Sequence, residues 1–191
     1  HVLIGDHAGH KTLADHGTTA VGYYALANAT SGGYNTAVGY QALEDNVSGE
    51  NNVAFGYQSL ANLTAGSNNV TVGHHTLRVA NAGESSNVAI GVYAMNSVDE
   101  GDSQHADNNI AIGSGALTGG AISGGDLLGN IAIGANAMDA TGSNAQTGTI
   151  AIGHDSLTAL TSGIENTAIG YQSADGLTTG GYNTFVGYKV A

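Results

Sequence analysis

Histidine, carboxylate and tyrosine are the residues of this chain whose types and spacing could carry chemistry. His7, His10 and His16 crowd the first stretch, His74 and His75 are adjacent, and His154 stands apart. Imidazoles hold a metal when the backbone brings several onto one face, as a helix does for residues three or four apart. The segment around His7 has no helical periodicity, so surface or subunit-contact histidines are expected, with no metal and no cofactor. The acidic run Asp99-Glu100-Gly101-Asp102-Ser103-Gln104-His105-Ala106-Asp107 offers the oxygen donors that calcium prefers. Its spacing matches neither an EF-hand loop nor a glycine-rich calcium-binding nonapeptide, and a solvated acidic loop is expected. No stretch sets a serine, histidine and aspartate, or an isolated carboxylate pair, apart from its surroundings, so no catalysis is expected.

Composition excludes further classes. Lys11, Arg78 and Lys189 are the only fixed cations, against 15 carboxylates, for a formal net charge of −12. Nucleic-acid binding needs cations to neutralise phosphates, and an anionic membrane surface would repel this chain. No apolar run is long enough to span a bilayer, so membrane insertion is not expected. Without cysteine there is no disulfide framework and no thiolate metal site. Glycine accounts for 31 of 191 residues, which with the many Asn, Thr and Ser disfavours helix.

What organises these residues is an internal repeat. Thr36-Ala37-Val38-Gly39-Tyr40-Gln41-Ala42-Leu43 recurs as Val53-Ala54-Phe55-Gly56-Tyr57-Gln58-Ser59-Leu60 and as Ile131-Ala132-Ile133-Gly134-Ala135-Asn136-Ala137-Met138. The anchoring glycines are Gly5, Gly22, Gly39, Gly56, Gly73, Gly91, Gly113, Gly134, Gly153, Gly170 and Gly187. The step is 17 residues at both ends (Gly22 to Gly39, Gly170 to Gly187) and widens to 22 in the middle (Gly91 to Gly113). Before each glycine, two residues from Val, Ile, Thr or Phe flank a third that is usually alanine. This period-two alternation predicts a strand with a β-branched face and an alanine face. The glycine implies positive φ or the close passage of another backbone. Leu or Met recurs four residues after it, at Leu26, Leu43, Leu60, Leu77, Met95, Leu117 and Met138, and a second glycine marks another turn at Gly32, Gly49, Gly66, Gly163 and Gly180. Asparagine opens the strand at Asn35, Asn52, Asn69, Asn87, Asn109, Asn130, Asn166 and Asn183. One such asparagine is a turn former; the same register eight times predicts an amide ladder between stacked copies.

The expected fold is all-β: a single domain over 1–191 forming a parallel β-solenoid of about eleven coils of 17–22 residues. The Val, Ile and Leu positions are expected to build one buried column, and the alanines, which let backbones approach closely, to line a subunit interface. Tyr23, Tyr40, Tyr57, Tyr171 and Tyr188 follow anchor glycines, with His74 and His154 in the same slot, so the coils should align them in an aromatic ladder, either packed or able to contact sugars. A hexapeptide acyltransferase helix would need three hexapeptides per coil, and only one is present. A regular Thr-x-Thr ice-binding face is broken, since Val or Ile replaces Thr19, Thr36, Thr167 and Thr184 elsewhere in that slot. A polysaccharide lyase would need cations in its groove.

The run Asn-x-Ala-Val/Ile-Gly resembles the head repeats of YadA-type trimeric autotransporter adhesins. The longer form Thr179-Gly180-Gly181-Tyr182-Asn183-Thr184-Phe185-Val186-Gly187-Tyr188 is similar to repeats of bacteriophage tail-fibre proteins. The resemblance covers nearly the whole chain and implies a left-handed β-roll, three chains to a head. Adhesin repeats run shorter, which favours the fibre. Beginning and ending inside the repeat pattern, the chain reads as a fragment of a longer fibre. The expected function is structural display and host attachment by an extracellular, homotrimeric virion fibre; the alternative is the head of a bacterial adhesin on the cell surface. Receptor contacts are expected in the three inserts of the widened coils, because inserts in a solenoid gather on one side. The candidates are Asp99, Asp102, Gln104, His105 and Asp107 in the first, Ser123 and Asp126 in the second, and Asp139, Ser143 and Asn144 in the third, facing a cell-surface glycan or protein.

Overall fold

The computed structural model describes residues 1–11, 17–80, 83–98, 105–119, 124–141 and 144–191. In chain order the strands are β1 (Val2–Ile4), β2 (Thr19–Val21), β3 (Thr36–Val38), β4 (Val53–Phe55), β5 (Val70–Val72), β6 (Val88–Ile90), β7 (Ala106–Asp107), β8 (Ile110–Ile112), β9 (Gly124–Leu128), β10 (Ile131–Ile133), β11 (Asn144–Thr147), β12 (Ile150–Ile152), β13 (Thr167–Ile169) and β14 (Thr184–Val186). Eleven of them, β1-β2-β3-β4-β5-β6-β8-β10-β12-β13-β14, form one parallel sheet, and β11-β9-β7 form a second. Pairing follows the sequence repeat residue for residue: Thr36 pairs with Val53, Ala37 with Ala54 and Val38 with Phe55. The chain is a parallel β-solenoid of about ten turns between its eleven stacked strands, with no helix among the described residues.

The anchor glycines set the stacking distance. Gly73 has φ of +140°, and a Cβ built on it would stand 2.7 Å from the carbonyl oxygen of Gly91 in the next coil. Both readings of the repeated glycine therefore hold at once: the backbone conformation and the close approach each demand it. Its N–H bonds across coils, as in Gly56 N to Val38 O at 2.8 Å.

After the glycine the chain turns sharply by alternating left-handed residues. Gln41 and Leu43 have φ of 52° and 53°, and the pair recurs at Gln58 and Leu60 and at His75 and Leu77. Bulky residues are costly there. Stacking fixes them, because Leu43 N donates to Ser59 O at 3.0 Å and Leu60 N to Thr76 O at 2.9 Å. The conformation aims Leu26, Leu43, Leu60, Leu77, Met95, Leu117, Met138 and Leu157 into the coil, where all are fully buried.

Those side chains occupy the interior and leave room for little on the facing strand. This overturns the expected direction of the strand. Ala20, Ala37, Ala54, Ala89, Ala111, Ala132, Ala151 and Ala168 point inward and are fully buried within the single chain, so they line no subunit interface. The β-branched residues point outward: Val53, Val70, Val72, Ile90 and Ile112 are about one-third exposed or more, and Phe55 over half. Where Thr71 replaces the inward alanine, its hydroxyl lies 2.7 Å from Ser59 Oγ, which lies 2.7 Å from Thr76 Oγ1. The buried hydroxyls thus satisfy one another.

The amide ladder is present. Asn109 Oδ1 accepts from Asn130 N at 3.0 Å and from Asn130 Nδ2 at 3.1 Å, while Asn109 Nδ2 donates to Leu127 O at 2.8 Å across the coil. Asn52 and Asn69 repeat the pattern, with Gly66 O and Glu84 O as the cross-coil acceptors. Thr149 interrupts it conservatively, donating its own N–H to Asn130 Oδ1 and accepting from Asn166 N with its hydroxyl.

Gly73→Ala should destabilise the fold by about 1–3 kcal/mol or more, since it combines strained φ with a backbone clash. Gly176→Ala, where an added Cβ meets nothing within 4 Å, should change little. Equal denaturation midpoints for the two variants would contradict this account of the stacking. Asn109→Ala strands a buried carbonyl and a buried N–H and should cost about 2–3 kcal/mol in the same measurement.

Candidate functional site

Two surfaces gather the sequence-predicted residues. The first is the insert side. Where short coils carry glycine seven residues before the anchor, the widened coils carry Ala106, Leu127 and Gln146, whose side chains are buried. In those three coils β7, β9 and β11 form there. Of the predicted receptor residues, Asp99, Asp102, Gln104, Ser123 and Ser143 lie outside the described residues, and Asn144 begins β11.

The remaining candidates fall into two groups. His105 is exposed and its Nδ1 lies 3.4 Å from Asp126 Oδ1, the same oxygen that accepts from His105 N at 2.9 Å. Asp107 Oδ1 accepts from Ser85 N at 2.7 Å and so ties two coils together. Asp139 stands away from these, within electrostatic reach of Asp155; burial, together with Asp155, holds its carboxyl above the usual range against two backbone N–H groups. Asp126 therefore ties β9 to the residue before β7, and Asp107 ties β7 to the coil before it. Among the described residues no three His, Asp or Glu side chains converge as a metal site.

The second surface is the outward face of the long sheet and the turn that follows it. Tyr23, Tyr40, Tyr57 and His74 stack with ring centroids 5.3, 5.1 and 5.1 Å apart and planes within 14° of parallel. His154, Tyr171 and Tyr188 form a second stack at 5.5 Å per step. Between the stacks the slot holds Val92, Ser114 and Ala135, in the same coils that carry the inserts. The aromatic ladder expected from the repeat is thus present in two pieces.

Beside it runs a polar row that the sequence reading passed over. Gln58 Nε2 donates to Gln41 Oε1 at 2.7 Å, and Asp155 accepts from Asn136 Nδ2 at 3.1 Å and from Gln172 Nε2 at 3.2 Å. The signal was available in the recurring pairs Tyr40-Gln41, Tyr57-Gln58 and Tyr171-Gln172. Burial raises the Asp155 carboxyl, but the Asn136 and Gln172 amides and the His154 imidazole outweigh it, and the group titrates below the usual range. His154 Nδ1 lies 2.9 Å from Asp155 Oδ2. His74 and His75 lie ring to ring at 4.0 Å. Burial, then His74 and Arg78, hold His75 below the ordinary imidazole range.

No protein-family model, curated protein or solved structure matches this chain.

The folded chain takes up the His75 proton less readily than the unfolded chain. His75 thus leaves stability intact above the unfolded imidazole pKa of about 6.5 and withdraws it as pH falls through that value toward the folded one. The fall in melting temperature between about pH 7.5 and 5 should be smaller in His75→Gln than in the parent. Identical slopes would show that His75 does not titrate differently on folding.

Proposed function

We propose that this chain is a segment of an extracellular homotrimeric fibre that displays a receptor-binding surface to a host cell, of the bacteriophage tail-fibre kind. The observation that carries the reading is the outward face of the eleven-stranded sheet. Val53, Phe55, Val70, Val72, Ile90, Ile112 and Ile169 form an exposed apolar strip along the solenoid. At the strand spacing of about 4.8 Å, this strip runs roughly 30 Å along a sheet of roughly 50 Å. Exposed apolar patches of that extent mark sites of association. Each strand contributes only two outward columns, so the strip is narrow, and three such strips close around an axis with polar turns at the rim. Copies of the chain share one pitch, so their ridges match along the full length. The left-handed roll implied by the resemblance belongs to this reading, with the β-branched columns, in place of the alanines, facing the partner subunits.

Attachment is assigned to surfaces that this packing leaves free: the insert side with His105 and Asp126, and the turn after the anchor glycine. The scarcity of cations and the net charge of −12 make nucleic acid and anionic surfaces poor partners.

Sedimentation equilibrium should give three times the chain mass. Ile112→Asp, which places a charge on the strip without touching the coil interior, should shift the protein toward monomer and lower its melting temperature, while Ala111 and the buried column stay undisturbed. A monomeric parent protein with the same stability as Ile112→Asp would defeat the trimeric fibre reading.

A further inference from the structure

The row of tyrosines and glutamines has a property that packing does not require. Tyr40, Tyr57 and Tyr171 are each more than two-fifths exposed, and among the described residues no protein group bonds their hydroxyls. Their ring faces are covered by the rings above and below, so what reaches solvent is a line of ring edges tipped by phenol groups. One hydroxyl recurs per coil, with centroids 5.1–5.3 Å apart along Tyr23, Tyr40 and Tyr57. The next residue packs close by: the rings of Tyr23 and Tyr24 lie 4.5 Å apart and those of His74 and His75 4.0 Å. Gln41 and Gln58 occupy the position of Tyr24 and His75, so the two middle rungs each offer a phenol and a neighbouring amide, flanked by a Tyr23-Tyr24 rung and a His74-His75 rung.

A partner that uses such a line must itself repeat at the same step. An extended β-1,4-linked polysaccharide advances by nearly that distance per sugar ring and presents hydroxyls at every step. An α-1,4-linked chain coils and falls out of register. The chain's charge selects further, because a run of uronates or sulfates would meet a protein of net charge −12. Sugar hydroxyls are both donors and acceptors, as phenols and primary amides are between them.

We infer that the Tyr23-Tyr40-Tyr57-His74 row, with Gln41 and Gln58 beside it, binds a neutral, extended β-1,4-linked polysaccharide lying along the solenoid axis, one sugar per coil. The inference rests on the attachment reading above and names its ligand class. It places the contact on the turn after the anchor glycine, at the polar rim of the apolar strip, where protein interfaces are wet and accessible. The row spans four rungs, so affinity rises with ligand length up to about the tetramer and flattens beyond it. The shorter His154-Tyr171-Tyr188 row has three rungs, with Asp155 and Lys189 where the first row has amides, and is the weaker of the two.

The test is calorimetric titration of the full chain with cellohexaose, chitohexaose and maltohexaose, alongside the corresponding dimers. Binding of the first two hexamers, absence of maltohexaose binding and weaker binding of the dimers are expected. The double variant Tyr40→Phe, Tyr57→Phe keeps the stacked rings and removes only the hydroxyls. It should bind cellohexaose and chitohexaose about tenfold or more weakly at unchanged melting temperature and unchanged sedimentation mass. Failure of both β-1,4 hexamers to bind, equal binding of maltohexaose, or undiminished binding by the double variant would overturn the inference. A changed oligomeric mass in the double variant would also overturn it, by making the row a subunit contact. The sedimentation mass of the parent protein judges the fibre reading separately, since a trimer that binds none of these sugars refutes only the ligand.

Discussion

Each coil of this protein lies directly on the next at backbone hydrogen-bonding distance, and the repeated glycines, at the anchor and at the second turn, are where no side chain fits between coils. At Gly73 the carbonyl of Gly91 occupies the space any side chain would need. Once this approach is fixed, the register of every other position is fixed with it. Ala37 must lie over Ala54, Asn52 over Asn69 and Tyr40 over Tyr57. The core is thin: a file of Leu and Met after the anchor glycines, joined by Leu63, Val98, Leu127 and Leu160, against an alanine wall.

Stacking equivalents so closely also explains the unusual chemistry of the surface. A column of identical carboxylates or ammonium groups at this spacing would repel itself all along the solenoid. Columns of amides, hydroxyls and rings attract themselves instead. Charged residues are accordingly 9% of the chain, and where a carboxylate does enter a column it meets neutral neighbours. Asp45 accepts from Asn28 at 2.9 Å, and Asp155 is flanked by Asn136 and Gln172. The same self-complementarity makes the asparagine ladder a clamp. Each amide bonds the next coil and the opposite wall, so the two sides of a thin coil cannot splay.

The middle of the solenoid departs from this regularity twice, on two sides and in the same coils. On one side the turn glycine gives way to Ala106, Leu127 and Gln146, and a second sheet appears. On the other, the aromatic row lapses into Val92, Ser114 and Ala135. Both changes leave the anchor glycines in place, with Asn109 and Asn130 kept and Thr149 bonding in asparagine's stead, so the fold tolerates them. They divide the molecule into uniform ends and a differentiated centre.

Much of this was legible in the order of residues alone. A step of 17 with glycine, alanine and asparagine in constant register specifies parallel stacking, because only parallel equivalents can meet copy after copy. The amide and aromatic ladders follow from that register without further information. Which strand face points inward did not follow. Alternation distinguishes two faces, but when one is alanine and the other Val or Ile, both are apolar and hydrophobicity names neither as the interior. The choice was made by the opposite wall. Left-handed turns at residues such as Leu43 drive a large side chain across the coil, and along the interior coils alanine, or Thr71 once, faces it, so the bulky face is turned out to solvent. The sequence by itself determined what stacks on what. Tertiary structure decided what is inside, because the space left for a side chain depends on a residue from the other side of the coil.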